Sequence, residues 1–155
     1  MKIIFLDFDG VMDTEYYDSL LIDNGKPICD SYGIIFDPFC VECLKLIIDK
    51  TDASIVVSSS WKVVMTYDEI LAMWKDRHLP GIVTGVTPSL SDELCRGDEI
   101  DAWIRLNNFD GKYVIIDDLD AGNFNEHQLQ HLVLVNPYFG IDDLIAERAI
   151  SILNH

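Results

Sequence analysis

Two aspartates one residue apart, Asp7 and Asp9, follow an apolar run, Lys2-Ile3-Ile4-Phe5-Leu6, and lead into Gly10. Carboxylates that close repel each other unless a cation or a proton lies between them. At the end of a strand, one of them could attack an electrophile while the other moves a proton, with a metal ion taking up charge. Side chains alternate along a strand, so both carboxylates are expected on the same side. Gly10 permits a sharp turn and the close approach of a ligand. Asp-Gly is also a plain turn signal, and by itself the segment leaves that reading open.

Three further groups stand at similar places. Ser58-Ser59-Ser60-Trp61 follows a second apolar run. Hydroxyls and N–H groups at a helix start can bind an anion, and the same residues also read as a simple N-cap. Arg96 precedes Gly97-Asp98-Glu99 where a helix begins, although the helix dipole favours anions there. Neutralising a phosphate would account for it; a surface arginine is the alternative. Asp117-Asp118 closes a fourth apolar run as Asp7 closes the first, and both ends could face one Mg²⁺, which takes oxygen ligands.

The elements that must position these residues alternate. Short apolar runs at 2–6, 53–57, 82–86, 112–116 and 131–135 read as strands, and 38–50, 67–78, 98–107 and 141–153 read as helices. Residues 11–37 read as a loop or small hairpin flap, with a turn at Asp23-Asn24-Gly25-Lys26-Pro27. The implied class is α/β, a parallel sheet with helices on both faces and its site at the carboxyl ends of the strands. Those ends carry Asp7, Asp9, Ser58, Ser59, Ser60, Thr87, Asp117, Asp118 and Asn136.

At 155 residues, with 49% hydrophobic residues, the chain fits one domain, 1–155, and disorder is not expected. The net charge of -16 disfavours non-specific binding to nucleic acid or anionic membrane. The apolar N-terminal run is too short for a secretory signal, and no stretch has the length of a membrane span, so a cytoplasmic location is expected. Cys40 and Cys43 form a C-x-x-C pair with no second pair at zinc spacing, and read as buried thiols on a helix.

Taken in order, Asp7-x-Asp9-Gly10-Val11, Val57-Ser58, Arg96 and Ile115-Ile116-Asp117-Asp118 resemble the four motifs of the haloacid dehalogenase-like (HAD) hydrolases. The Ser-Ser-Ser-Trp run, the Arg-Gly-x-Glu-Ile helix start and the closing Gly-Ile-x-x-x-x-Ala-x-x-Ala-Ile are similar to the small HAD domain of Swiss-Army-Knife RNA-repair proteins. The resemblance implies a Rossmann-like fold whose five strands run in the spatial order 5-4-1-2-3. It implies a phosphatase in which Asp7 is the nucleophile, forming an aspartyl-phosphate, and Asp9 is the general acid and base. Ser58 and the N–H of Ser59 would grip the phosphoryl oxygens, with Arg96 offsetting charge. Mg²⁺ would be held by Asp7, the backbone carbonyl of Asp9 and Asp117, with Asp118 in support. An acid at Asp9 favours phosphoryl transfer over dehalogenation.

The gaps between motifs leave no room for a large cap domain, which suits a large phosphorylated substrate. A nucleic-acid end fits the RNA-repair resemblance but is opposed by the charge of -16, with Lys62, Lys75, Arg77, His78 and Arg96 as the local basic residues. Trp61 could stack a base or simply pack in the core. Two other classes remain: a regulatory or binding protein with little activity, which would bind metal without hydrolysis, and a phosphotransferase, which would pass phosphate to an added alcohol.

Overall fold

A computed structural model describes residues 1–155. Lys2–Leu6 form β1, and Ile3 to Leu6 are wholly buried. That is why the run lacks alternation: a parallel strand covered on both faces must be apolar throughout. After it come α1 (Glu15–Asp23), a two-residue hairpin of β2 (Cys29–Asp30) and β3 (Gly33–Ile34), and α2 (Pro38–Thr51). Then follow β4 (Ser54–Val57), α3 (Tyr67–Asp76), β5 (Val83–Val86), α4 (Arg96–Leu106), β6 (Lys112–Asp117), β7 (Leu132–Leu134) and α5 (Asp143–Asn154).

The main sheet is parallel, in the order β5-β4-β1-β6-β7. Once the small hairpin is set aside, this is the order 5-4-1-2-3 that the resemblance implied. Its faces are covered unequally. Ile4, Leu6, Ile55, Val57, Val114 and Ile116 face a core of 26 buried residues built with α2, α3 and α5. Ile3, Phe5, Val56 and Ile115 face a core of eight, closed by Ile100 and Trp103 of α4 and by Phe124. Cys40 and Cys43 are buried free thiols on α2. No helix is long and apolar enough to cross a membrane.

Three boundaries differ from expectation. Residues 11–37 contain a helix, α1, besides the hairpin. Thr14 caps it by accepting from Tyr17 N–H, and Glu15 and Asp18 suit its first turn. Only Leu21 on it is buried, so its apolar period is too faint to read. The turn at 23–27 is the chain leaving that helix, with Gly25 at φ 67°. Helix α3 stops at Asp76 because His78 takes φ 53°. Helix α4 begins at Arg96, two residues earlier than expected.

Candidate active site

Strand register assembles the site. Leu6 of β1 stands beside Val57 of β4 and Ile116 of β6. The next residues, Asp7, Ser58 and Asp117, are therefore neighbours at the carboxyl edge, and all three are buried. Asp7 N–H donates to Ile116 O at 3.1 Å, and Ser58 N–H to Leu6 O at 2.8 Å, so the ladder continues into the site.

Arg96 reaches into this edge from the first position of α4. Its Nη1 donates to Ser58 O at 2.5 Å and to Asp117 Oδ2 at 2.7 Å, and lies 3.5 Å from Asp7 Oδ1. A cation at a helix start is unfavourable against the dipole alone, but here two carboxylates outweigh it. The surface-arginine alternative does not describe this side chain.

Asp7, Asp117 and Asp118 offer carboxylate oxygens within 4.8 Å of one another. Burial first, then the charge of Asp117, pushes the Asp7 carboxyl up to about 8, against the pull of Arg96 and of Phe8 N–H. Burial also raises Asp117, with Arg96 the chief opposing influence. Three clustered acids with one guanidinium beside two of them leave negative charge that a divalent cation would relieve, and an all-oxygen donor set suits Mg²⁺. Gly10 has φ 75°, and a Cβ there would run into the Asp118 carboxylate and the Pro137 ring. Glycine therefore serves both the turn and the close approach of Asp118.

Asp9 is held by other partners. The strand ends at Leu6, and the chain turns at once, with Val11 and Met12 N–H both returning to Phe8 O. Strand alternation does not extend to residue 9, so the turn and not the pleat sets the direction of the Asp9 side chain. Asp9 is exposed, and its Oδ1 accepts from Trp61 Nε1–H at 2.8 Å. Its carboxylate is not in the three-acid cluster; any share in holding a metal falls to its backbone carbonyl. Asp13 is buried beside it and accepts from Gly10 N–H at 3.2 Å. Burial, then the hydrogen bond to Asp9, pushes Asp13 up to about 8.

The serines divide. Ser58 Oγ is buried and has no hydrogen-bond partner. An orphaned hydroxyl costs free energy unless something else satisfies it, and Ser58 stands beside Asp7 at the sheet edge with its own carbonyl held by Arg96. The Ser59 hydroxyl accepts from Trp61 N–H at 3.3 Å, capping a short 3-10 turn at Ser60–Val63. The N-cap alternative therefore describes Ser59, whose part in anion binding is left to its N–H. A cavity of about 310 Å³ opens beside Arg96, lined by Ser59, Ser60, Lys62, Ser91 and Glu99 among others.

Other rim residues have structural duties. Thr87 Oγ1 donates to Val57 O and accepts from Lys62 Nζ at 3.0 Å. Asn136 Oδ1 accepts from Tyr138 N–H in a turn. Lys62 is largely buried, paired with Glu99 and donating to Pro88 O. Arg77 is forked onto Asp30. Neither cation is free for a phosphate backbone. Trp61 is 9% exposed and belongs to the core, so it is not a base-stacking platform. Its bond to Asp9, the Asp13 carboxyl and the Lys62–Glu99 pair were not foreseen. Asp13 carried a visible signal, a carboxylate four residues past Asp9, but lay inside a stretch read as a flap.

A family model described as the HAD domain in Swiss Army Knife RNA repair proteins matches residues 3–144. Neither curated proteins nor solved structures yield a match. The match runs from within β1 into α5 and takes in every residue that meets at the carboxyl edge of the sheet. The chain belongs to the family of HAD domains found in Swiss Army Knife RNA repair proteins.

Proposed function

We propose that the protein is a Mg²⁺-dependent phosphohydrolase that cleaves phosphate monoesters through an aspartyl-phosphate on Asp7. HAD domains are a hydrolase and phosphatase family, and that membership supports the reaction class. The observation that carries the reading is the buried, unpartnered Ser58 hydroxyl at the sheet edge where Arg96 binds Ser58 O and lies 3.5 Å from Asp7 Oδ1. A phosphoryl group placed there meets a nucleophile, a hydroxyl donor and a delocalised cation together.

An Asp7 oxygen attacks phosphorus and the bond to the leaving oxygen breaks. Asp9, at the exposed mouth, gives that oxygen a proton. Asp9 then takes a proton from water, whose oxygen attacks phosphorus while the bond to Asp7 breaks, releasing inorganic phosphate. Arg96 stays between Asp7 and Asp117 and offsets charge in both steps. Mg²⁺, held by Asp7, Asp117, the Asp9 carbonyl and Asp118, would supply Lewis-acid charge neutralisation.

The open carboxyl edge and the short segments at 61–95 favour a large substrate; the family's RNA-repair setting suits a nucleic-acid end, which the charge of -16 and the paired Lys62 and Arg77 oppose. The test is a panel of 3′- and 5′-phosphorylated oligonucleotides, nucleotides, sugar phosphates, phosphopeptides and an aryl phosphate, each with Mg²⁺. Hydrolysis that Asp7→Asn lowers about ten-thousand-fold is the expected result. Turnover surviving that change, or no hydrolysis across the panel, overturns the reading.

A further inference from the structure

We propose that Trp61 is a positioning residue for Asp9, and that the insertion at 11–37 serves to hold this indole in place. The inference rests on the phosphohydrolase reading, in which Asp9 must deliver and recover a proton at a fixed point. An exposed aspartate on a turn would otherwise sample several rotamers. Here Trp61 Nε1–H donates to Asp9 Oδ1 at 2.8 Å, from a group that can only donate. Asp13 is also hydrogen-bonded to Asp9, and the indole fixes the carboxylate from the other element, at Oδ1.

The ring itself has little freedom. Phe8 meets it edge-on, with centroids 5.3 Å apart, and Phe36 packs at 5.7 Å. A Cβ on Gly33 would lie 3.3 Å from Trp61 Cη2, so the hairpin backbone lies directly against the indole. The Arg77 guanidinium lies 5.9 Å from the indole and 4.9 Å from Phe36. Arg77 in turn forks onto Asp30 at 2.7 and 2.9 Å and donates to Gly33 O at 3.2 Å. Two residues of the insertion, Gly33 and Phe36, thus bear on the ring, and Arg77 of the α3 end locks them there. In this arrangement the 11–37 segment acts on the chemistry through one indole.

The test compares wild type and Trp61→Phe on a good leaving group, 4-nitrophenyl phosphate, and a poor one, an alkyl phosphate. A misplaced acid matters in proportion to the basicity of the leaving oxygen. The variant should lose about ten-fold more kcat on the alkyl ester than on the nitrophenyl ester. An equal loss on both, as partial unfolding would give, or no loss, overturns the inference. Indole ¹⁵N–¹H spectra provide a second readout that needs no Trp61 variant. Asp9→Asn should shift one of the three tryptophan signals, and no shift overturns the contact. If wild type cleaves neither ester and Asp7→Asn changes nothing, the phosphohydrolase reading has failed and positioning for catalysis fails with it. The indole signal still decides separately whether Trp61 binds Asp9.

Discussion

Ser58 and Asp9 show how much a single side chain's surroundings decide. Because Ser58 Oγ bonds to nothing in the folded chain, Ser58→Ala should leave stability within about 0.5 kcal/mol of wild type. If the hydroxyl donates to the transferred phosphoryl group, the same change should cut kcat/KM by about ten-fold or more. Thermal melts and steady-state kinetics on one preparation check both halves. A large loss of stability would mean the hydroxyl has a structural partner after all. Asp9→Asn should lower turnover by about a hundred-fold or more, as the loss of a general acid does, with the fold intact. The residues most exposed to inference from sequence were those at strand ends: Asp7, Ser58 and Asp117 follow directly from runs of buried apolar residues. Asp9 did not follow, because a turn beginning at Phe8 ends the period on which its direction was argued. Nor did Trp61, whose ring N–H finds its partner 52 positions away in the chain.

Lys62 and Glu99 join two elements that each carry part of the site. Lys62 lies on the turn that follows Ser58, and Glu99 lies one turn into α4 after Arg96. Both are largely buried, and burial lowers the Lys62 pKa, although Glu99 opposes that effect. Removing one partner leaves an uncompensated charge, so Lys62→Met should cost about 2–3 kcal/mol and slow turnover as Arg96 loses its footing. Lys62→Met with Glu99→Leu should recover most of the stability, since an apolar pair of similar volume carries no stranded charge. Denaturant unfolding of the two single variants and the double variant measures the coupling; simple additivity would contradict it. At this level the strands and long helices were legible from apolar runs and caps. Helix α1 was not, because most of its surface faces water and its one buried residue, Leu21, makes no pattern. Arg96 looked misplaced at a helix start only because its partners, Ser58 and Asp117, come from other strands.

Acid groups held at high pKa make the whole molecule sensitive to pH and to metal. Asp7 and Asp13 are both pushed to about 8 from an ordinary value of 3.8, mainly by burial. Below the ordinary value both folded and unfolded chains carry the protons, and neither state is favoured. Between about 4 and about 8 the unfolded chain ionises freely and the folded one does not, so stability falls as pH rises through that window. Thermal melts in chelator should therefore show Tm decreasing from about pH 5 to about pH 8, and excess Mg²⁺ should restore it most at the upper end. A Tm that rises with pH in chelator, or Mg²⁺ that does nothing at any pH, would contradict the account. The net charge of -16 works in the same direction, since a cation also relieves the general self-repulsion. The unequal covering of the sheet has a separate consequence. The smaller core is closed by one long helix, α4, and that helix carries Arg96. A ligand that engages Arg96 would therefore pin down the least deeply anchored face of the molecule. Amide hydrogens of α4 should exchange sooner than those of α2 in the free protein, and slow selectively when inorganic phosphate and Mg²⁺ are added.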